Sequence, residues 1–185
     1  MSYLLRKITR KKWDPNMETT SDLYTADAIT GCTRTASNTL SVWYSKEANF
    51  DGESSRLLIT ALASSMDRPD AIDLLWLEEL QLKEKGIIVE ESEGSSKCKA
   101  ANNLHKDLVN LKHKDLAVVG EHIVHQLRNP VNHKRISRAS LLSIMLNAVL
   151  AKRVDFYDLS DKWQEKLFEK MDAEQKNQYP YNKPM

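Results

Sequence analysis

The sequence predicts a mixed α+β protein, with a small α/β sheet layer in the N-terminal half followed by a three- to four-helix C-terminal part. Three observations carry this. Strand-like and helix-like segments alternate as far as residue 92. A polar break containing Gly and Ser, ESEGSSKCKAANN, occupies residues 91–103,. Beyond it the apolar residues recur with helical period,.

The elements follow in order. YLLRKIT, residues 3–9, is rich in β-compatible residues,. TADAITGCT, 25–33, offers Thr25 as the N-cap of a short helix,. NTLSVWY, 38–44, puts Leu40, Val42 and Tyr44 on one side of a strand,. ESSRLLITALASSM, 53–66, has Leu57, Leu58, Ala61 and Leu62 at helical spacing,. AIDLLWLE, 71–78, is a strand-length apolar run. EELQLKEK is a short helix stopped by Gly86, and IIVEES, 87–92, is a strand,. The β-α-β-α-β-α-β order is compatible with parallel crossovers.

After the break, HKDLAVVGEHIVHQLR carries a stripe of Leu116, Val119, Gly120, Ile123 and Leu127,. SRASLLSIMLNAVLAKRV is apolar around most of its circumference, with Ser140, Ser143 and Asn147 as a narrow polar edge. Such a helix is expected at the centre of the molecule,. LSDKWQEKLFEKM starts at Ser160 and buries Trp163, Leu167 and Met171,. The expected organisation is a sheet region, 1–95, a helical region, 96–172, packed on it as one compact domain, and a loose tail, 173–185,.

A chain of 185 residues with 41% hydrophobic residues has enough apolar material for one core,. The formal charge of +1 provides no global field toward nucleic acid or membrane,. The charges are nevertheless segregated along the chain. Residues 1–13 hold five bases and no acid, 67–94 hold nine acids against three bases, and 122–154 hold six Lys/Arg and no acid. Cys32 and Cys98 lack metal-type spacing and are expected as reduced thiols,. No stretch is long and apolar enough for a bilayer span, and no secretory leader is evident, so a cytoplasmic location without membrane association is expected,.

Four groups of residues are candidates for chemistry. His122 and His125, three apart on a helix, would share a face with Asp115 and point away from the Ile123 stripe. A metal site there would need further ligands such as His105 or His113,. The second group is the pair Arg128 and His133. Asn129-Pro130 is a cap and first-turn pair that would place His133 at a helix start,. The third is a basic surface of Arg128, Lys134, Arg135 and Arg138, joined by Arg6, Lys7 and Arg10 and by Lys152 and Arg153, suited to phosphates or an acidic partner,. The fourth is the acidic middle, where Asp73 sits between Ile72 and Leu74 on a strand. No Gly-rich phosphate loop, nucleophile elbow or Cys–His signature is present, and no cofactor is expected,.

The stretch RNPVNH, 128–133, resembles the R-polar-x-x-x-H motif of HEPN ribonucleases. That resemblance implies an all-helical fold, a dimeric site and metal-independent RNA cleavage. Arg128 would hold the phosphate and His133 would move the proton of a 2′-hydroxyl. Six residues carry it.

Together the sequence points first to a non-enzymatic interaction protein, an accessory, immunity or regulatory partner of a larger prokaryotic or phage-type system. Its partner would be another protein, and a homodimer is compatible. The alternatives are a ribonuclease using Arg128 and His133, and an RNA- or DNA-binding subunit using the basic runs at 6–12 and 128–138,.

Overall fold

The computed structural model describes residues 2–33 and 37–181. In chain order the elements are β1 (Tyr3–Ile8), α1 (Arg10–Trp13), α2 (Ala26–Cys32), β2 (Leu40–Ser45), α3 (Glu53–Ser64), β3 (Ile72–Glu78), α4 (Glu79–Glu84), β4 (Ile88–Glu91), β5 (His105–Val109), α5 (His113–Leu127), β6 (His133–Ile136), α6 (Arg138–Leu150), α7 (Asp161–Lys170) and α8 (Ala173–Gln178). Short 3-10 turns lie between several of them.

The protein is mixed α+β, as the sequence predicts. The six strands form one sheet in the order β4-β5-β2-β1-β3-β6. Every neighbouring pair is antiparallel, so the strand–helix–strand order does not make the parallel crossovers with which it was compatible. Strands also come from beyond residue 95, since β5 joins the sheet between β4 and β2 and β6 forms the opposite edge.

Helices cover both faces. β3 lies between β1 and the edge strand β6, and Ile72–Leu77 are all buried under helices on both faces, which is why this strand reads as a continuous apolar run,. Its even-numbered apolar residues, Ile72, Leu74 and Trp76, face α3, α6 and α7 together with Leu5, Trp43 and Ile136. Its odd-numbered ones, Leu75 and Leu77, face α1, α2 and α5 together with Leu4, Val42 and Leu108. We call these the α6 face and the α5 face. The near-uniformly apolar α6 buries Leu141, Leu142, Met145, Ala148 and Val149. The helix α7 buries Trp163 and Leu167, and Met171 just beyond it is buried too. All four tryptophans are buried, so none stands ready as a surface anchor,.

Gly86 ends α4 with φ +82°, the left-handed stop that its position after a short helix predicts,. Thr25 precedes α2 and Ser160 precedes α7, both with extended backbone, although neither side chain caps. Residues 173–178 form α8, closed by a capping box of Asp172 and Gln175,. The Tyr179 hydroxyl donates to the Val149 carbonyl at 3.3 Å. Residues 182–185 of the expected tail lie outside the described residues.

One local expectation is corrected. Asn129 does cap, its Oδ1 accepting from the Val131 N–H at 3.3 Å, with Pro130 next in line. The turn stops after three residues, and His133 opens strand β6 rather than a helix. The sheet decides this outcome. Extended backbone lets Ile136 face Ile72 and brings Arg135 opposite Asp73, giving one buried apolar contact and one ion pair that a helix would forgo,.

Candidate functional site

The sequence motif at 128–133 is not assembled as a pair. The Arg128 guanidinium leaves the end of α5 and donates to the Met17 carbonyl at 2.8 Å. His133 sits on the α5 face of β6 with its Nε2 3.3 Å from Asp73 Oδ1. Arg135, two residues on and on the same face, donates to Asp73 Oδ2 at 2.8 Å. Asp73 is buried and its carboxylate is met by Arg135, with the His133 ring beside it,. The cluster ties an edge strand to its neighbour.

The two histidines of α5 also part. The expectation that His122 points away from the Ile123 stripe is not met. His122 is buried, and its Nε2 accepts from the Glu78 N–H at 3.0 Å. That backbone group lies where β3 ends, and the imidazole serves as its acceptor. Burial, with Lys85 and His125 nearby, pushes the His122 pKa down to about 4,. The ring is therefore neutral at pH 7 and its donor is Nδ1. Gln126 is buried one turn on, donating to Glu78 Oε1 at 3.3 Å and accepting from Asn132 at 2.6 Å. His125 is exposed. Among the described residues, no group of three or more His, Cys, Asp or Glu is arranged to hold a metal. Both cysteines are buried free thiols, Cys32 Sγ accepting from the Thr9 N–H at 3.2 Å, and burial raises the Cys98 thiol pKa.

The basic residues separate into structural and available sets. Arg6 bridges the Ser41 carbonyl at 2.6 Å and the Cys32 carbonyl at 3.1 Å, and burial lowers its pKa. Arg10 pairs with Asp14 one turn on. Lys7 is exposed on the α6 face, where Leu74 separates it from Lys134 in the same row of the sheet. Arg138 is exposed in the first turn of α6 and pairs with no acid among the described residues.

Lys134 and Arg135 instead border a groove of about 750 Å³ between α3 and α6 beside β6. Its floor is Phe50, Ile59, Ile136, Ile144 and Ala148. Its rim carries Arg56, Lys134 and Arg153 against only Asp51 and Glu53, the Arg135 guanidinium being turned to Asp73 on the α5 face. Lys134 pairs with Asp51 at 2.6 Å and Arg153 with Glu53 at 2.7 Å, and both acids are 80% exposed. Two polar seams line the walls. Glu53, Arg56 and Thr60 come from α3, and Ser140, Ser143 and Asn147 from α6. Each seam recurs at three- and four-residue steps, which places it along one helix face. The α6 seam is the polar edge visible in the sequence. The α3 seam and Arg56 are not among the residues the sequence singles out, although their spacing is legible beside the Leu57–Leu58 stripe.

Neither a family model, a curated protein nor a solved structure matches this chain. The described residues contain no helix long and apolar enough to cross a membrane.

Proposed function

We propose that this is a non-enzymatic binding protein whose α3–α6 groove receives an acidic, amphipathic segment of a protein partner. The carrying observation is the composition of that groove, an apolar floor under a rim of three bases, Arg56, Lys134 and Arg153, and two acids. A helix with apolar residues on one face and carboxylates on its flanks complements both parts. The resident pairs Lys134–Asp51 and Arg153–Glu53 are exposed, and such pairs contribute at most about 1 kcal/mol,. Incoming carboxylates exchange with them at little cost.

Nucleic acid matches the groove less well. Phe50 is the one aromatic side chain lining it, and Phe50 is 8% exposed, which leaves no platform for bases,. The ribonuclease reading draws no support from Arg128 and His133, which are held by Met17 and Asp73.

The test is affinity capture from the source cells after nuclease treatment, using wild-type protein and the Arg56→Glu/Arg153→Glu variant. The expected result is a stoichiometric protein that the variant loses, cross-linked to α3 and α6 through an acidic segment. Equal capture by both forms would overturn the proposal, as would capture that nuclease abolishes.

A further inference from the structure

The strand order leaves two edges, β4 and β6. Among the described residues, the β4 backbone is hydrogen-bonded only to β5, and the β6 backbone only to β3 apart from the His133 N–H, which donates to the Pro130 carbonyl. Natural sheets protect such edges with charge. Here each edge carries a single sign. β4 reads Ile88-Val89-Glu90-Glu91 and β6 reads His133-Lys134-Arg135-Ile136. The acidic and basic runs of the sequence thus each place one strand at an opposite end of the sheet.

We infer that copies of this chain associate head to tail, the β4 edge of one pairing with the β6 edge of the next. Directions agree. The strands alternate throughout the sheet, so a translated copy presents its β6 antiparallel to β4. Faces agree too. On β4, Val89 packs in the α5-face core, which puts Ile88 and Glu90 on the α6 face. On β6, Ile136 packs in the α6-face core, so Lys134 shares that face. One antiparallel register then sets Ile88 opposite Ile136, Glu90 opposite Lys134 and Glu91 opposite His133. It joins an apolar pair and opposite charges without turning either strand over.

The coverage of the edges is complementary as well. Ile88 is 50% exposed on the α6 face of β4, whereas β6 is built out on that face by the α3–α6 groove. On the α5 face the relation reverses. The Arg135 side chain is 59% exposed there, while α4 packs beside β4 through Leu82 and Ile87. Such a contact joins two different patches, so it propagates as an open chain of copies or closes as a ring. It is independent of the groove reading. Lys134 borders both surfaces, so a bound partner and a neighbouring copy compete, whereas Glu90 belongs to the assembly edge alone.

The experiment is analytical ultracentrifugation of the whole chain across concentration, at low and high salt, with Glu90→Lys and Lys134→Glu variants. Both positions lie on an edge strand, and the melting temperature of each variant verifies its fold. Wild-type mass is expected to rise with concentration and fall with salt. Each variant alone should associate about tenfold more weakly or worse, because positions 90 and 134, which face each other in this register, then carry like charges. An equimolar mixture should regain association, since each edge of one variant complements an edge of the other. A wild-type chain that stays monomeric at low salt would overturn the inference. So would variants that associate like wild type, or a mixture that recovers nothing.

Discussion

The two helical layers on this sheet are built by different rules. On the α6 face the buried polar side chains are mostly hydroxyls bonded within their own segment. Thr60 donates to the Arg56 carbonyl and Ser64 to the Ala61 carbonyl. The rest is packing around Trp76, Trp163, Phe156 and Met145. On the α5 face, charged and amide groups are buried and satisfied across elements. Asp73 meets Arg135, His122 meets Glu78, and Gln126 meets Glu78 and Asn132. One layer stabilises through apolar area, and the other fixes which strand ends and turns meet. The groove opens at the rim of the apolar layer, so its floor is held by core packing rather than by a polar network.

The largest effect should come from the α6 face. Trp76→Ala should cost about 3–5 kcal/mol in chemical denaturation, since a fully buried indole leaves a cavity under α3 and α6,. A loss below about 1 kcal/mol would show that the layer is loosely packed.

The α5 face should respond to pH instead. His122 has a folded pKa of about 4, below its ordinary value of 6.5. The unfolded chain therefore takes up the proton first as pH falls, and stability is lost between about pH 6.5 and 4. The expected loss from this group is about 3 kcal/mol. His122→Gln keeps an acceptor for the Glu78 N–H and should flatten that part of the pH–stability curve. An unchanged slope would mean that His122 does not titrate in this window.

A smaller effect is expected at the edge. Asp73→Asn should cost about 1–2 kcal/mol and free Arg135, read as faster amide exchange along β6,. Smallest for stability is Arg56→Glu/Arg153→Glu, within about 0.5 kcal/mol of wild type, because both residues are on the surface. A large loss there would place the groove rim in the structural set.

Legibility in the sequence follows how much of an element its own residues decide. β3, α6 and α7 are readable because an unbroken apolar run, a helix apolar nearly all round and a Trp163–Leu167–Met171 stripe each permit one arrangement. The tetrapeptide His-Lys-Asp-Leu shows the limit. At 105–108 it is strand β5, and at 113–116 it opens α5. The second copy is followed by Ala-Val-Val-Gly-Glu-His-Ile at helical period. The first is extended because β2 and β4 flank it, and the chain then turns at Asn110 with φ +56°. Partners distant in sequence also decide β6, whose cap and proline read as a helix start until Asp73 and Ile72 supply a strand. The basic half of the groove is legible at Lys134 and Arg153, and the fold adds Arg56 from α3.

Hydrogen exchange of the protein with and without its captured partner tests the groove most directly. The account predicts added protection at residues 56–60, 134–136 and 140–151, with α5 unchanged. Protection centred on 122–128, or none on the α6 rim, would contradict it.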